Sequence, residues 1–156
     1  MRLQRDFRDA HIQHELRTHG RKNGFVTRGQ QARLAHWLPK IGLPKESCLE
    51  INNDEKWVVE IGFGNGDFLV HMARSHPEWQ LLGIEIYLPG VAKAVSRLEE
   101  AQVIERCRIS QLPSQYVLEE QIAANTLSGI VINHPDPWPK KRHHKRRLIQ
   151  TDFARL

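Results

Sequence analysis

The sequence predicts an α/β fold built on a doubly wound, mainly parallel sheet. Short apolar strands alternate with amphipathic helices from residue 57 onward, and the connections between them are short. A glycine-rich turn also joins the first strand to the helix after it. At 156 residues with 40% hydrophobic content, the chain can form one domain with its own core.

Each element follows from its local pattern. Residues 1–30 read as a basic N-terminal arm, with Gly20-Arg-Lys-Asn-Gly24 as an irregular stretch, and residues 31–156 as part of a single domain. Residues 28–38 are expected to form a short helix with Ala32, Ala35, Trp37 and Leu38 available for burial, followed by a connector from Pro39 to Asp54. Trp57-Val-Val-Glu-Ile61 is a buried strand ended by glycines. Asp67 to Ser75 is a helix with Phe68, Leu69 and Met72 on one face. Gln80 to Ile84 is the second strand. Pro89 to Ala101 is a second amphipathic helix, whose proline suits a first turn. Arg106 to Ser110 is a weaker third strand, residues 114–124 have helical character, and Ser128 to Ile132 is the fourth strand. Arg146 to Leu156 reads as a starting helix, because Ile149, Phe153 and Leu156 are spaced i, i+4, i+7.

Charge is unevenly placed. The net formal charge is +5, yet residues 140–147 alone carry six cations, and residues 1–30 hold seven against three acids. Residues 31–139 hold nine cations against fourteen acids. An acidic middle between basic flanks fits a pocket for a small cation with arms for a polyanion. Cys48 and Cys107 lie far apart without metal-ligand spacing and read as reduced cytosolic thiols. No apolar run approaches a membrane span and no signal peptide opens the chain, so a cytoplasmic location is expected.

The first strand runs into Glu60-Ile-Gly62-Phe-Gly64-Asn-Gly66-Asp67. Glycines between a strand and a helix let a ligand approach the backbone closely. A dinucleotide fingerprint would want glycine at 67, where Asp67 stands; with Glu60 nearby, a pyrophosphate would be repelled. S-adenosylmethionine carries a sulfonium and an ammonium instead of phosphate, and suits carboxylates around this Rossmann-like loop. Glu85, nineteen residues after Gly66, stands where such a fold places an acid for ribose hydroxyls.

The fourth strand leads into Asn133-His-Pro-Asp-Pro-Trp-Pro-Lys-Lys-Arg-His-His-Lys-Arg-Arg147. Each proline fixes its own φ and biases the residue before it towards extended conformations, so the backbone largely sets the directions of Asp136 and Trp138. Trp138 could stack on a base or anchor the turn. His143 and His144 are adjacent and have no third ligand spaced for a metal, so they join the phosphate-sized patch of Lys140, Lys141, Arg142, Lys145, Arg146 and Arg147. A rigid carboxylate beside such a patch points to chemistry on a nucleic-acid base.

The run at 135–147 resembles the signature of bacterial tRNA (guanine-N7-)-methyltransferases. Glu60 to Gly66 and Gly83-Ile-Glu85 resemble the same family's cofactor motifs, in order and at similar spacing. Arg17 to Arg21, with Gly24, Thr27 and Gln30, is similar to its N-terminal arm. The resemblance implies a class I methyltransferase fold and methyl transfer from S-adenosylmethionine to N7 of guanine 46 in the tRNA variable loop. It implies cofactor contacts from Glu60, Gly62, Gly64, Gly66, Glu85 and Asp136, with Asp136 also catalytic. It implies substrate contacts from Lys140, Arg142, His143, His144, Lys145, Arg146 and Arg147, and no metal.

The chain departs from that pattern at several points. Ser110-Gln-Leu-Pro-Ser114 holds no carboxylate where the family has one near the adenine, and His134 and His19 replace aromatic residues. The family's later strands and its Thr-Asp-Trp and Thr-Lys-Phe-Glu-like motifs lie beyond the stretch present here. The domain is therefore expected to be incomplete at its C-terminus, with Ile130-Val-Ile132 as an apolar edge and reduced stability and catalysis. The competing expectations are a catalytically weak RNA-binding module and a nicotinamide-dependent oxidoreductase, the latter disfavoured by Asp67.

Overall fold

A computed structural model describes residues 24–155. Most of the expected basic arm, with His19 and Arg17 to Arg21, lies outside the described residues, as does Leu156. The elements are α1 (Arg28–Ile41), β1 (Lys56–Ile61), α2 (Asp67–Ser75), β2 (Trp79–Ile84), α3 (Leu88–Glu100), β3 (Cys107–Ser110), α4 (Ser114–Glu120) and β4 (Gly129–Ile132). Short 3-10 turns occupy Ile104–Arg106, Lys141–Arg146 and Phe153–Arg155.

The strands form one sheet in the order β3-β2-β1-β4, every pair parallel. The order reverses beside β1: the chain first steps outward through β2 and β3, then returns to place β4 on the other side. The carboxyl ends of β1 and β4 therefore flank a topological switch point, where open α/β sheets bind ligands. In register, Ile61 faces Ile84 on one side and Ile132 on the other.

Strand residues alternate between two apolar layers. One face packs Val58, Leu81 and Ile109 against α1, α2 and α3 through Leu34, Ile41, Leu69, Met72, Val91, Val95 and Leu98. The other packs Val59, Ile61, Leu82 and Ile84 against Val117 of α4 and Leu49 of the connector. Leu69, Leu81, Leu82 and Leu98 are fully buried, each worth roughly 1.5–3 kcal/mol.

Several details differ from the sequence expectation, for local reasons. Helix α1 starts at Arg28 because Thr27 and Gln30 form a capping box: Thr27 Oγ1 accepts from Gln30 N at 3.2 Å and Gln30 Oε1 from Thr27 N at 3.0 Å. Arg28 to Gln30 are thus its first turn. The helix runs through Pro39 to Ile41 and buries Leu34 and Ile41, while Ala32 and Ala35 are exposed. In α2 the buried face is Leu69, Met72 and Ala73, and Phe68 turns outward. Arg146 to Leu156 does not form the expected α-helix; its described part holds only the end of one 3-10 turn and another at Phe153–Arg155. Gln150 donates its amide to the carbonyls of Lys145 and Arg147, taking an acceptor that a helix would need.

Candidate active site

The deepest polar group at the switch point is Glu60. It is 2% exposed and shares its face of β1 with Val58. Its Oε1 accepts from Asn133 Nδ2 at 3.4 Å, and its Oε2 is buried with no hydrogen-bond partner among the described residues. Burial pushes the carboxyl up to about 7, with the Asn133 amide pulling the other way. Buried polar atoms are normally satisfied, so an orphaned carboxylate oxygen marks a place for a donor or a cation. Asn133 follows β4 directly and ties its end to β1. Sequence reasoning gave it no role, because its contact with Glu60 depends on β4 pairing with β1.

Beyond Glu60 the backbone turns through Gly62, Gly64 and Gly66, at φ 74°, 57° and 79°. These left-handed values favour glycine over any other residue. A Cβ built at Gly64 meets nothing within 4 Å, whereas one at Gly66 would lie 2.5 Å from Ala94 Cβ. The first half of the loop is an open cradle, and its end is pressed against α3. Glu85, one residue past β2, braces this loop. Its Oε2 accepts from Gly64 N at 3.0 Å and its Oε1 from Tyr87 N at 2.9 Å. A carboxylate has about four acceptor positions, so both oxygens keep capacity for hydroxyl donors.

Asp67 has a partner that the sequence did not announce. Its carboxylate pairs with Arg97 at 2.7 Å on the outer side, where Arg97 also donates to the Asn65 carbonyl at 2.8 Å. The Asp67 side chain stays 76% exposed, so this ion pair is screened by solvent. The Ser110–Ser114 segment is as the sequence reads: Ser110, Leu112 and Ser114 are buried and no carboxylate stands there.

The proline turn leaves β4 at the switch point. His134 and Trp138 take left-handed φ values of 48° and 36°, each costing on the order of 1–2 kcal/mol for a non-glycine residue. Asp136 is exposed and lines a depression of about 220 Å³ with Pro135, Pro137, Arg147, Leu148 and Ile149. No hydrogen bond among the described residues joins it to Glu60 or Glu85. The basic run folds back on the turn. Arg146 lies over the Trp138 ring at 5.2 Å, and the His143 ring stands nearly perpendicular to it with centroids 5.5 Å apart. Arg147 donates to the carbonyls of Pro137 at 2.9 Å and Trp138 at 3.3 Å. Trp138 therefore anchors the turn by way of its own cations. Lys140, which accepts at its carbonyl from His143 N, and Arg142, His144 and Lys145 are exposed. Among the described residues no group of three His, Cys, Asp or Glu could hold a metal ion. Cys107 is buried, which pushes its thiol up to about 12 and leaves it unreactive.

The profile of the family described as "Putative methyltransferase" matches residues 54–156, from β1 through the basic run. The chain belongs to this methyltransferase family. It is 40% identical over 141 residues to the tRNA (guanine-N(7)-)-methyltransferase of Nitrosococcus oceani, covering 87% of this chain and 59% of that protein. It is 37% identical over 153 residues to the protein of the same name from Vibrio cholerae serotype O1, covering 95% and 64%. With the one from Idiomarina loihiensis it shares 38% over 146 residues, covering 90% and 59%. The chain thus spans 59–64% of the length of these relatives. Among solved structures, the O-methyltransferase TomG from Streptomyces achromogenes aligns with a TM-score of 0.47 and 20% identity over 74% of this chain and 48% of that one, a likeness too loose to bear on the site.

A methyltransferase needs a seat for its methyl donor, and the residues present fit S-adenosylmethionine. The orphaned, buried Oε2 of Glu60 suits a cationic group, and the open Gly64 leaves room for a ligand against the backbone. The spare acceptor capacity of Glu85 suits ribose hydroxyls.

Proposed function

We propose that the protein of which this sequence is part is an S-adenosylmethionine-dependent tRNA (guanine-N7-)-methyltransferase acting on guanine 46 of the variable loop. The observation that carries the reading is the meeting, at one switch point, of the orphaned Glu60 carboxylate and the strained Pro135–Pro139 turn with its six-cation run. The relatives' printed activity and the family membership support it. The same reading implies work in the cytoplasm. No helix among the described residues is long and apolar enough to cross a membrane.

The division of labour follows from chemistry. When bound, S-adenosylmethionine supplies an electrophilic methyl group. Glu60 holds a cationic group of the donor, Glu85 accepts from ribose hydroxyls, and Gly62, Gly64 and Gly66 give the ligand access to the backbone. Guanine N7 carries an in-plane lone pair and no proton, and faces the major groove, so the site has no need of a general base. What the chain must do is align N7 and exclude water. Asp136, on a turn with little freedom, orients the guanine and stabilises the positive charge that develops on it. Lys140, Arg142, His144 and Lys145 present donors to phosphates, with Arg146 and Arg147 behind them.

Mass spectrometry of nucleosides from tRNA incubated with the protein tests this reading. We expect 7-methylguanosine to accumulate and Asp136→Asn to lower the rate about 100-fold. An Asp136→Asn protein with full turnover would sink the catalytic role of Asp136.

A further inference from the structure

Arg147 stands out because its guanidinium, on an exposed residue, folds back onto the turn. Pro135, Pro137 and Pro139 have no N–H, so the turn has few backbone donors of its own. Left-handed φ values at His134 and Trp138 bracket it, and neither residue is a glycine that would adopt them freely. Such a turn needs restraint from outside. Two N–H groups of the Arg147 guanidinium supply it, on consecutive carbonyls at 2.9 and 3.3 Å, and the same side chain lines the depression beside Asp136. Arg146 over the Trp138 ring and His143 perpendicular to it add support.

We infer that Arg147 is a positioning residue, whose planar fork clamps the Pro137 and Trp138 carbonyls and so fixes the turn that presents Asp136. This assigns it a task other than phosphate contact and rests on the proposed methyl transfer for its consequence, though not for the clamp itself. A lysine keeps the charge but lacks the fork, so the two roles separate.

The test pairs the full chain with its Arg147→Lys and Arg147→Ala variants. Trp138 is one of four tryptophans, so 5-fluorotryptophan labelling, with its resonance assigned by Trp138→Phe, reports on the turn by fluorine NMR. The other three resonances report whether the variants fold. We expect Arg147→Lys to shift or broaden the Trp138 signal alone. Single-turnover methylation should fall at least tenfold, with tRNA affinity and its salt dependence unchanged. A phosphate contact would give another pattern and overturn the inference: an unmoved Trp138 signal and wild-type rate in Arg147→Lys, with a salt slope lower by about one in Arg147→Ala. If the unsubstituted protein transfers no methyl group, the fluorine signal still decides. A shift in Arg147→Lys keeps the clamp while the proposed reaction falls; an unmoved signal removes both.

Discussion

On the proposed reading, Glu60 is the residue on which cofactor binding should turn. Free, its carboxyl is pushed up to about 7 by burial, so below that pH it is mostly protonated. A cationic partner at Oε2 favours the ionised form. Binding below pH 7 must therefore release a proton, and affinity should fall about tenfold for each unit below 7. Calorimetry with S-adenosylhomocysteine between pH 5.5 and 7 checks this. Glu60→Gln should bind more weakly at pH 7.5 and lose the slope; a slope that survives in the variant would assign the titration elsewhere. The glycine turn after β1 and the acid after β2 could be picked from sequence because glycine and strand-end patterns are local. Asn133 could not, because its role depends on β4 returning beside β1. The ion-pair partner of Asp67, Arg97, was not legible either, because it sits on the facing helix, thirty residues away in the chain.

At the scale of elements, the glycine loop separates function from folding within two residues. Gly66 abuts Ala94 of α3, so Gly66→Ala adds a steric clash to its left-handed φ. It should destabilise the fold by about 2–4 kcal/mol, seen as a lower Tm. Gly64 opens onto space, so Gly64→Ala should cost only about 1–2 kcal/mol of stability while a methyl group enters the ligand's seat. Thermal melts and donor titrations of the two variants would contradict this if Gly64→Ala bound normally. The strands and the α2 and α3 boundaries were legible because period and punctuation agree there. The span from Arg146 was not. Its i, i+4, i+7 spacing is helical, but Ile149 stays 53% exposed, and short helices form mainly through packing. Side chains of Arg147 and Gln150 bond instead to nearby carbonyls and hold the segment as turns. Thr27 and Gln30, noted for likeness to the family's arm, turn out to start α1.

For the whole molecule, the charge pattern and the sheet order set the division of tasks. The parallel sheet gathers the acidic groups at the carboxyl end of β1 and β2, and β4 delivers the basic run to the neighbouring edge. Sequence alone could assign the architecture, since strand–helix alternation leaves few topologies. Which face each basic side chain uses was beyond it, because that depends on how the proline turn folds back. If Lys140, Arg142 and Lys145 meet phosphates, each replaced by alanine should lower the slope of log affinity against log salt by about 0.7–0.9. Filter binding of tRNA across a salt series reads this directly; an unchanged slope in the triple variant would move the RNA path off this run.

The most direct test of the proposed reaction replaces one atom of the substrate. Transfer RNA carrying guanine at position 46 and the same RNA carrying 7-deazaguanine there differ only where the methyl group should go. With labelled S-adenosylmethionine, the guanine substrate should take up about one methyl group per molecule and the 7-deaza substrate none. Equal labelling of both, or labelling of neither by a folded protein that binds the donor, would contradict methyl transfer to N7 of that base.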